Sequence, residues 1–141
     1  MDIEKINRAA QLIRKSKYMV AFTGAGVSVE SGIPPFRGAG GLWNTTHPIF
    51  LEIEYFHKKP LQAWKKIKEV FYDKLGDAEP NKAHEVLAKM EKRSFLESII
   101  TQNIDHLHQK ASNKYVYELH GTYRRLVCTE CSSEYDMSFA D

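Results

Sequence analysis

The stretch Tyr18–Gly38, YMVAFTGAGVSVESGIPPFRG, decides the fold of this chain. Tyr18 to Phe22 is a short continuous apolar run, which suits a strand buried on both faces, as in a parallel sheet. Thr23 to Gly41 is rich in Gly, Ser and Pro and reads as a loop enclosing one short helix. Glycines directly after a strand let the backbone approach a ligand and reach positive φ. Free N–H groups at the following helix start would face a phosphate. Gly24-Ala25-Gly26 supplies G-x-G, but the third glycine of the dinucleotide fingerprint would fall at Val29. A lone G-x-G is as compatible with an ordinary tight turn. The continuation separates the two. It is longer than a connecting loop requires, is stiffened by Pro34-Pro35, and carries an exposed aromatic, Phe36, beside a guanidinium, Arg37. That pair suits a flat ring next to phosphate or ribose. Phe22 to Arg37 therefore reads as a nucleotide-cradling loop.

Outward from this loop, strand and helix alternate. Ile3, Ile6, Ala10 and Ile13 recur at helical spacing and predict a helix over Ile3–Ser16. Leu42 to His57 shows no clear period and is expected to be irregular. Leu61, Trp64, Ile67, Phe71 and Leu75 restore a helical stripe whose aromatics are chiefly core. Ala83, Val86, Leu87 and Met90 mark a further helix with Asn81 as its cap. Phe95–Thr101 and Tyr115–Leu119 read as a second and third strand, with a short helix through Ile104, Leu107 and Ala111 between them. Arg124 to Tyr135 turns around Cys128 and Cys131 like a small β-ribbon. The alternation argues for an α/β fold with a parallel sheet and right-handed crossovers.

In such sheets ligands bind beyond the carboxyl ends of the strands. The second strand ends in Thr101-Gln102-Asn103-Ile104-Asp105, whose amides and carboxylate offer donors and acceptors for a carboxamide and ribose hydroxyls. Helix capping by Asn103 or Asp105 accounts for one of these residues more readily than for all. The third strand ends in Glu118-Leu119-His120-Gly121, where an imidazole is a candidate general base. His47, His57, His84, His106 and His108 carry weaker claims. His106 and His108, two positions apart, face different ways and make a poor metal pair.

The 141 residues suffice for one domain and one core. The hydrophobic (43%) and charged (27%) shares are those of an ordinary globular protein. A net charge of +2 provides no strong field toward nucleic acid or membrane, and neither is an expected partner. Lys65, Lys66 and Lys68 form a solvated helical face. No apolar run is long enough to span a bilayer, and Met1-Asp2-Ile3-Glu4 lacks a signal core; the expected location is cytoplasmic. Two cysteines spaced C-x-x-C suggest metal or redox chemistry rather than a disulfide framework, and they make half of a tetrahedral zinc site.

Taken together, these residues resemble the sirtuin family of NAD-dependent protein lysine deacylases. The resemblance rests on GAGVS at Gly24–Ser28, SGIPPFRG at Ser31–Gly38, TQNID at Thr101–Asp105 and LHG at Leu119–Gly121, followed by the cysteine pair. It runs from about Ile3 to the end of the chain. It implies a Rossmann-like parallel sheet, incomplete at about three strands, over residues 1–123, and the first half of a zinc-binding ribbon over 124–141. It also implies a reaction in which an acyl-lysine oxygen attacks the nicotinamide ribose of NAD, nicotinamide leaves, and an alkylimidate resolves to lysine and O-acyl-ADP-ribose. By resemblance, Gly24, Ala25, Gly26, Ser28 and Val29 form the cofactor loop along the phosphates and the adjoining ribose. Phe36 and Arg37 close over the ribose and nicotinamide side. Gln102, Asn103, Ile104 and Asp105 line the nicotinamide pocket and ribose. His120 is the general base on a ribose hydroxyl, making it a nucleophile. Cys128 and Cys131 are structural zinc ligands.

Three departures qualify the resemblance. Pro35 stands where many members have Asp. Members that remove acidic acyl groups pair a Tyr with an Arg three positions on; here Tyr72 matches but Leu75 holds the Arg place. The bidentate carboxylate partner is therefore missing, and neutral acyl groups, acetyl foremost, are expected on a protein or peptide lysine. Finally, the chain carries one C-x-x-C where the family carries two, followed there by further strands and helices. The expectation is a truncated fragment with an open sheet edge, binding NAD weakly and inactive alone. The alternatives are a mono-ADP-ribosyltransferase on the same scaffold and a non-catalytic NAD- or zinc-binding interaction module. A hydride-transferring dehydrogenase is weakest, because the third glycine and the acidic residue roughly 20 positions on are missing.

Overall fold

The computed structural model describes residues 2–73 and 77–140. Helix α1 spans Ile3–Lys15, with Ser16 as its C-cap. The Asp2 carboxylate accepts from the Lys5 N–H at 3.2 Å. Glu4 lies in the first turn and Arg14 and Lys15 in the last, matching the helix dipole.

Strands β1 (Val20–Thr23), β2 (Ser98–Thr101) and β3 (Val116–Glu118) form a parallel sheet in the order β1-β2-β3. The α/β class and the three-stranded sheet expected from sequence are thus present. Each strand is shorter than its apolar run, and the expected burial on both faces is wrong. The register pairs Phe22 with Ile100 and Ile100 with Tyr117 on one face, and Thr23 with Thr101 and Thr101 with Glu118 on the other. Phe22 and Tyr117 are 63% and 59% exposed, whereas Ile99 and Thr101 are buried. A continuous apolar run does not distinguish one covered face from two, and the described residues cover only the face that carries the threonines.

Leu42 to His57, expected to be irregular, is mostly short helix: 3-10 turns at Leu42–Asn44 and Pro48–Leu51, then α2 at Ile53–Lys58. Each unit is too short to show a helical period. Helix α3 spans Pro60–Ile67 and continues into a π-helical turn at Lys68–Tyr72. Leu75, the last residue of the expected stripe, lies outside the described residues, and Leu61, its first, is exposed. Helix α4 spans Lys82–Lys92, and Asn81 caps it as expected, its side chain accepting from the Ala83 N–H at 2.9 Å. Helix α5 is Leu107–Lys110.

The main core lies between the loop and the helices rather than under the sheet. It comprises Ile33, Phe50, Val70, Phe71 and Leu107, with Phe36, Trp43, Tyr72 and Ile104 packed against it. Phe36 stacks on Trp43 at 5.2 Å and meets Phe71 edge-on at 6.2 Å. It is therefore half-buried, not the exposed aromatic expected; the aromatics of two later segments cover it. Strands β4 (Arg125–Val127) and β5 (Glu134–Asp136) form the expected antiparallel ribbon.

Candidate functional site

The carboxyl ends of the three strands converge on one place. After β1 the chain turns into a 3-10 helix, Ala25–Ser31, ended by Gly32 at φ 85. Gly24 has φ −143, and neither it nor Gly26 is left-handed. The positive φ expected at this G-x-G is thus absent. A Cβ at either glycine would meet nothing within 4 Å, so these positions leave open space above the strand end. Gly41 differs: its Cβ would lie 2.9 Å from the Arg37 backbone, and only a residue without a side chain lets the loop close on itself there.

Ser28 is fully buried, and its hydroxyl donates to Asp105 Oδ2 at 2.6 Å. The Asn103 carboxamide donates to Ser28 Oγ at 3.1 Å and to the Gly24 carbonyl at 3.2 Å. Asp105 Oδ1 accepts from the Leu107 N–H at 3.1 Å, so one of its oxygens does serve the start of α5. Three residues expected at the site, one from the loop and two from the end of β2, thus form a closed buried network. With the amino group of Asn103 committed, its carboxamide oxygen is the part it can offer a ligand. A carboxylate holding two donors retains further acceptor capacity.

Two spaces adjoin this network. A cleft of about 540 Å³ is lined by Ala25, Phe36, Arg37, Trp43, Gln102, Asn103, Ile104 and His120, among others, a volume in the range of small-molecule sites. Beside it, a recess of about 30 Å³ is walled by Ile33, Phe36, Phe71, Ile104, Asn103 and Asp105, enough for one or two water-sized groups. Arg37, Gln102 and His120 are exposed at the cleft. Gly26 and Val29 are exposed but form no part of its lining, and Ser28 stands behind it. Tyr72 packs between Trp64 and Tyr123, at 5.8 Å and 6.0 Å, and faces a different groove. Leu75, read with it for acyl preference, lies outside the described residues.

Sequence reasoning missed a second layer beneath the site. Thr23 and Thr101, register partners at the ends of β1 and β2, are hydrogen-bonded through their hydroxyls at 2.9 Å. Thr23 Oγ1 also lies 2.9 Å from His108 Nε2, and Thr101 Oγ1 accepts from the Asn103 N–H at 3.0 Å. His84 and His108 are buried with ring centroids 4.8 Å apart. Burial pushes His108 down to about 4, with a smaller contribution from His84 and partial opposition from Asp105. Burial likewise lowers His84. His106 sits at φ 60 with Nδ1 3.9 Å from Glu118 Oε1; burial, and next Arg124, holds it below its ordinary value. The one available sequence signal was a threonine closing both β1 and β2.

The cysteine pair lies away from this cleft, at the β4–β5 turn. Cys128 N–H donates to the Ser133 carbonyl at 2.9 Å, and Ser132 N–H to the Cys128 carbonyl at 3.0 Å. Among the described residues no third His, Cys, Asp or Glu joins the two thiols. No helix among the described residues is long and apolar enough to cross a membrane.

Residues 24–141 match the Sir2 family. An NAD-dependent protein deacetylase of Thermodesulfovibrio yellowstonii is 46% identical over 140 residues, covering 97% of this chain and 55% of that protein. One from Saccharolobus solfataricus is 50% identical over 133 residues, covering 92% and 52%. A solved Sir2 structure with deacetylated p53 peptide and 3'-O-acetyl ADP-ribose superimposes with a TM-score of 0.88 at 37% identity, covering 94% of this chain and 54% of that one. The chain thus spans about half the length of the relatives it matches.

Proposed function

The chain belongs to the Sir2 family, and from that premise we propose that its cleft binds NAD as co-substrate for removal of an acetyl group from a protein lysine. The observation that carries this reading is the convergence of Arg37, Gln102, Asn103 and His120, drawn from three strand ends, on one cleft of about 540 Å³. The cleft opens beside a recess holding a buried carboxylate.

The residues present suit such a ligand. Gly24 and Gly26 leave room for close approach of a pyrophosphate, and Arg37 offers a fork of donors to phosphate. The recess admits the carboxamide end of a nicotinamide, where Asp105 accepts from its NH₂. A volume of about 30 Å³ is too small for the ring, so Phe36 and its loop move outward when the ring enters. Gln102 and Asn103 read ribose hydroxyls. His120, at the cleft wall, takes a proton from a ribose hydroxyl, which turns it into a nucleophile toward the acyl carbon. Val29 lies within the 3-10 helix of the loop and does not line the cleft. The expected acyl group is neutral. Residues 124–141 form a separate zinc-binding unit in which Cys128 and Cys131 hold the metal with two further thiolate or imidazole ligands.

The test is calorimetric titration of the 141-residue chain with NAD, followed by mass spectrometry of an acetyl-lysine peptide incubated with both. Saturable binding that is weakened by Asp105→Asn is expected, with any mass loss on the peptide. Absence of NAD binding overturns the reading. A mass gain of ADP-ribose on a protein acceptor, with no loss from the peptide, replaces deacetylation by ADP-ribosyl transfer.

A further inference from the structure

The Thr23–Thr101 pair carries an inference that rests on the proposed NAD cleft and extends one shell beneath it. Asn103 is held at three points. Its carboxamide is fixed by Gly24 and Ser28, and its backbone N–H by Thr101 Oγ1 at 3.0 Å. Thr101 is 2% exposed and is hydrogen-bonded to the Thr23 hydroxyl as well. Either hydroxyl of the Thr23–Thr101 pair can donate, so the tautomer of His108, whose Nε2 is the remaining neighbour of Thr23 Oγ1 at 2.9 Å, sets the direction of the whole run.

We propose that His108 is a positioning residue for Asn103: as the neutral Nε2–H tautomer it donates to Thr23, which donates to Thr101, which fixes the Asn103 amide. The run links α5 to the ends of β1 and β2 at the position where the cleft wall begins. His84 supports the same assignment. Its Nδ1 accepts from the Asn81 N–H at 3.3 Å, so its own hydrogen sits on Nε2. His84 Nε2 and His108 Nδ1 are both buried without a partner. With the hydrogen of His84 on Nε2, a bare Nδ1 on His108 keeps two N–H groups from opposing each other across rings whose centroids are 4.8 Å apart. A protonated His108 would place a second N–H against that of His84.

The variants are Thr23→Val, which keeps the shape and removes the hydroxyl, His108→Ala, and His108→Gln, whose amide can donate from the Nε2 position. Long-range ¹H–¹⁵N spectra of the 141-residue chain should show His108 neutral with hydrogen on Nε2; a hydrogen on Nδ1 overturns the proposal. Amide exchange at Asn103 should quicken about tenfold in Thr23→Val and His108→Ala and recover in His108→Gln, while Ile99, in the same strand and bonded to Tyr115, stays unchanged. Equal acceleration at both amides means a general loss of stability and overturns it. NAD affinity should fall about tenfold in the same two variants and return in His108→Gln; unchanged affinity in Thr23→Val overturns the link to the cleft. If His108→Ala fails to fold, Thr23→Val carries the comparison. A wild-type chain that binds no NAD defeats the proposed function, and the tautomer and exchange arms still decide the role of His108.

Discussion

Ser28 and Asp105, 77 positions apart, are joined by a 2.6 Å hydrogen bond between two buried side chains. The bond ties the loop after β1 to the end of β2 and leaves Asp105 facing the recess. Ser28→Ala removes a donor from Asp105 and an acceptor from Asn103. Two buried groups lose a partner, and the expected cost is about 1–3 kcal/mol. Urea unfolding at neutral pH measures it. An unchanged midpoint would mean that the bond does not hold the loop in solution.

Asn81 has two tasks, of which the sequence shows one. It caps α4, and its amide also donates to the Val27 carbonyl at 2.7 Å and to Ser31 Oγ at 3.1 Å. Asn81→Asp keeps the cap and removes the donors to the loop; Asn81→Ala removes both. The loss should be about 1–2 kcal/mol for Ala and smaller for Asp, while NAD affinity falls in both. Calorimetry on the two variants separates the tasks; affinity retained in Asp would show that the loop contact is idle.

Polar strand ends at Gln102–Asp105 and His120 were legible because loops at the carboxyl ends of parallel strands face outward. The strand burial was not, because an apolar run such as Tyr18–Phe22 looks the same whether one face is covered or two. Phe36 was misread as exposed because its cover, Trp43 and Phe71, comes from segments with no readable register to it. The Thr23–Thr101–His108 run was invisible because its members are ordinary residues until parallel pairing places the two threonines side by side.

Gly41→Ala tests how tightly the loop closes. A Cβ there lies 2.9 Å from the Arg37 backbone atoms and from the Phe36 carbonyl. Backbone cannot rotate aside as a side-chain tip can, so the turn carrying Phe36 and Arg37 must open. The expected cost is about 1–3 kcal/mol, together with weaker NAD binding. Wild-type affinity in this variant would show that the Phe36–Arg37 turn does not shape the site.

The buried imidazoles make stability depend on pH in one direction. His108 titrates near 4 when folded, and His84 is lowered as well. An unfolded imidazole titrates near ~6.5. Between these values the unfolded chain holds more protons, so stability is complete above about pH 6.5 and declines as pH falls toward 4. His108 alone accounts for up to about 3 kcal/mol of the decline. Urea midpoints from about pH 7.5 to 4.5 should fall in wild type and fall less steeply in His108→Gln. Parallel slopes would remove His108 from the account.

His120 provides the sharpest separation of binding from chemistry. It is exposed on the cleft wall and makes no hydrogen bond among the described residues. His120→Ala should therefore leave unfolding within about 0.5 kcal/mol of wild type and NAD affinity within a few-fold. Its proposed action falls on a ribose hydroxyl, after nicotinamide has departed. Exchange of labelled nicotinamide into NAD, in the presence of an acetyl-lysine peptide, should then survive the substitution wherever wild type supports it. Appearance of deacetylated peptide should drop by about 10²–10⁴. Loss of exchange and deacetylation in equal measure would place His120 at the bond-breaking step instead. Loss of NAD binding together with both would make it a cofactor contact rather than a base.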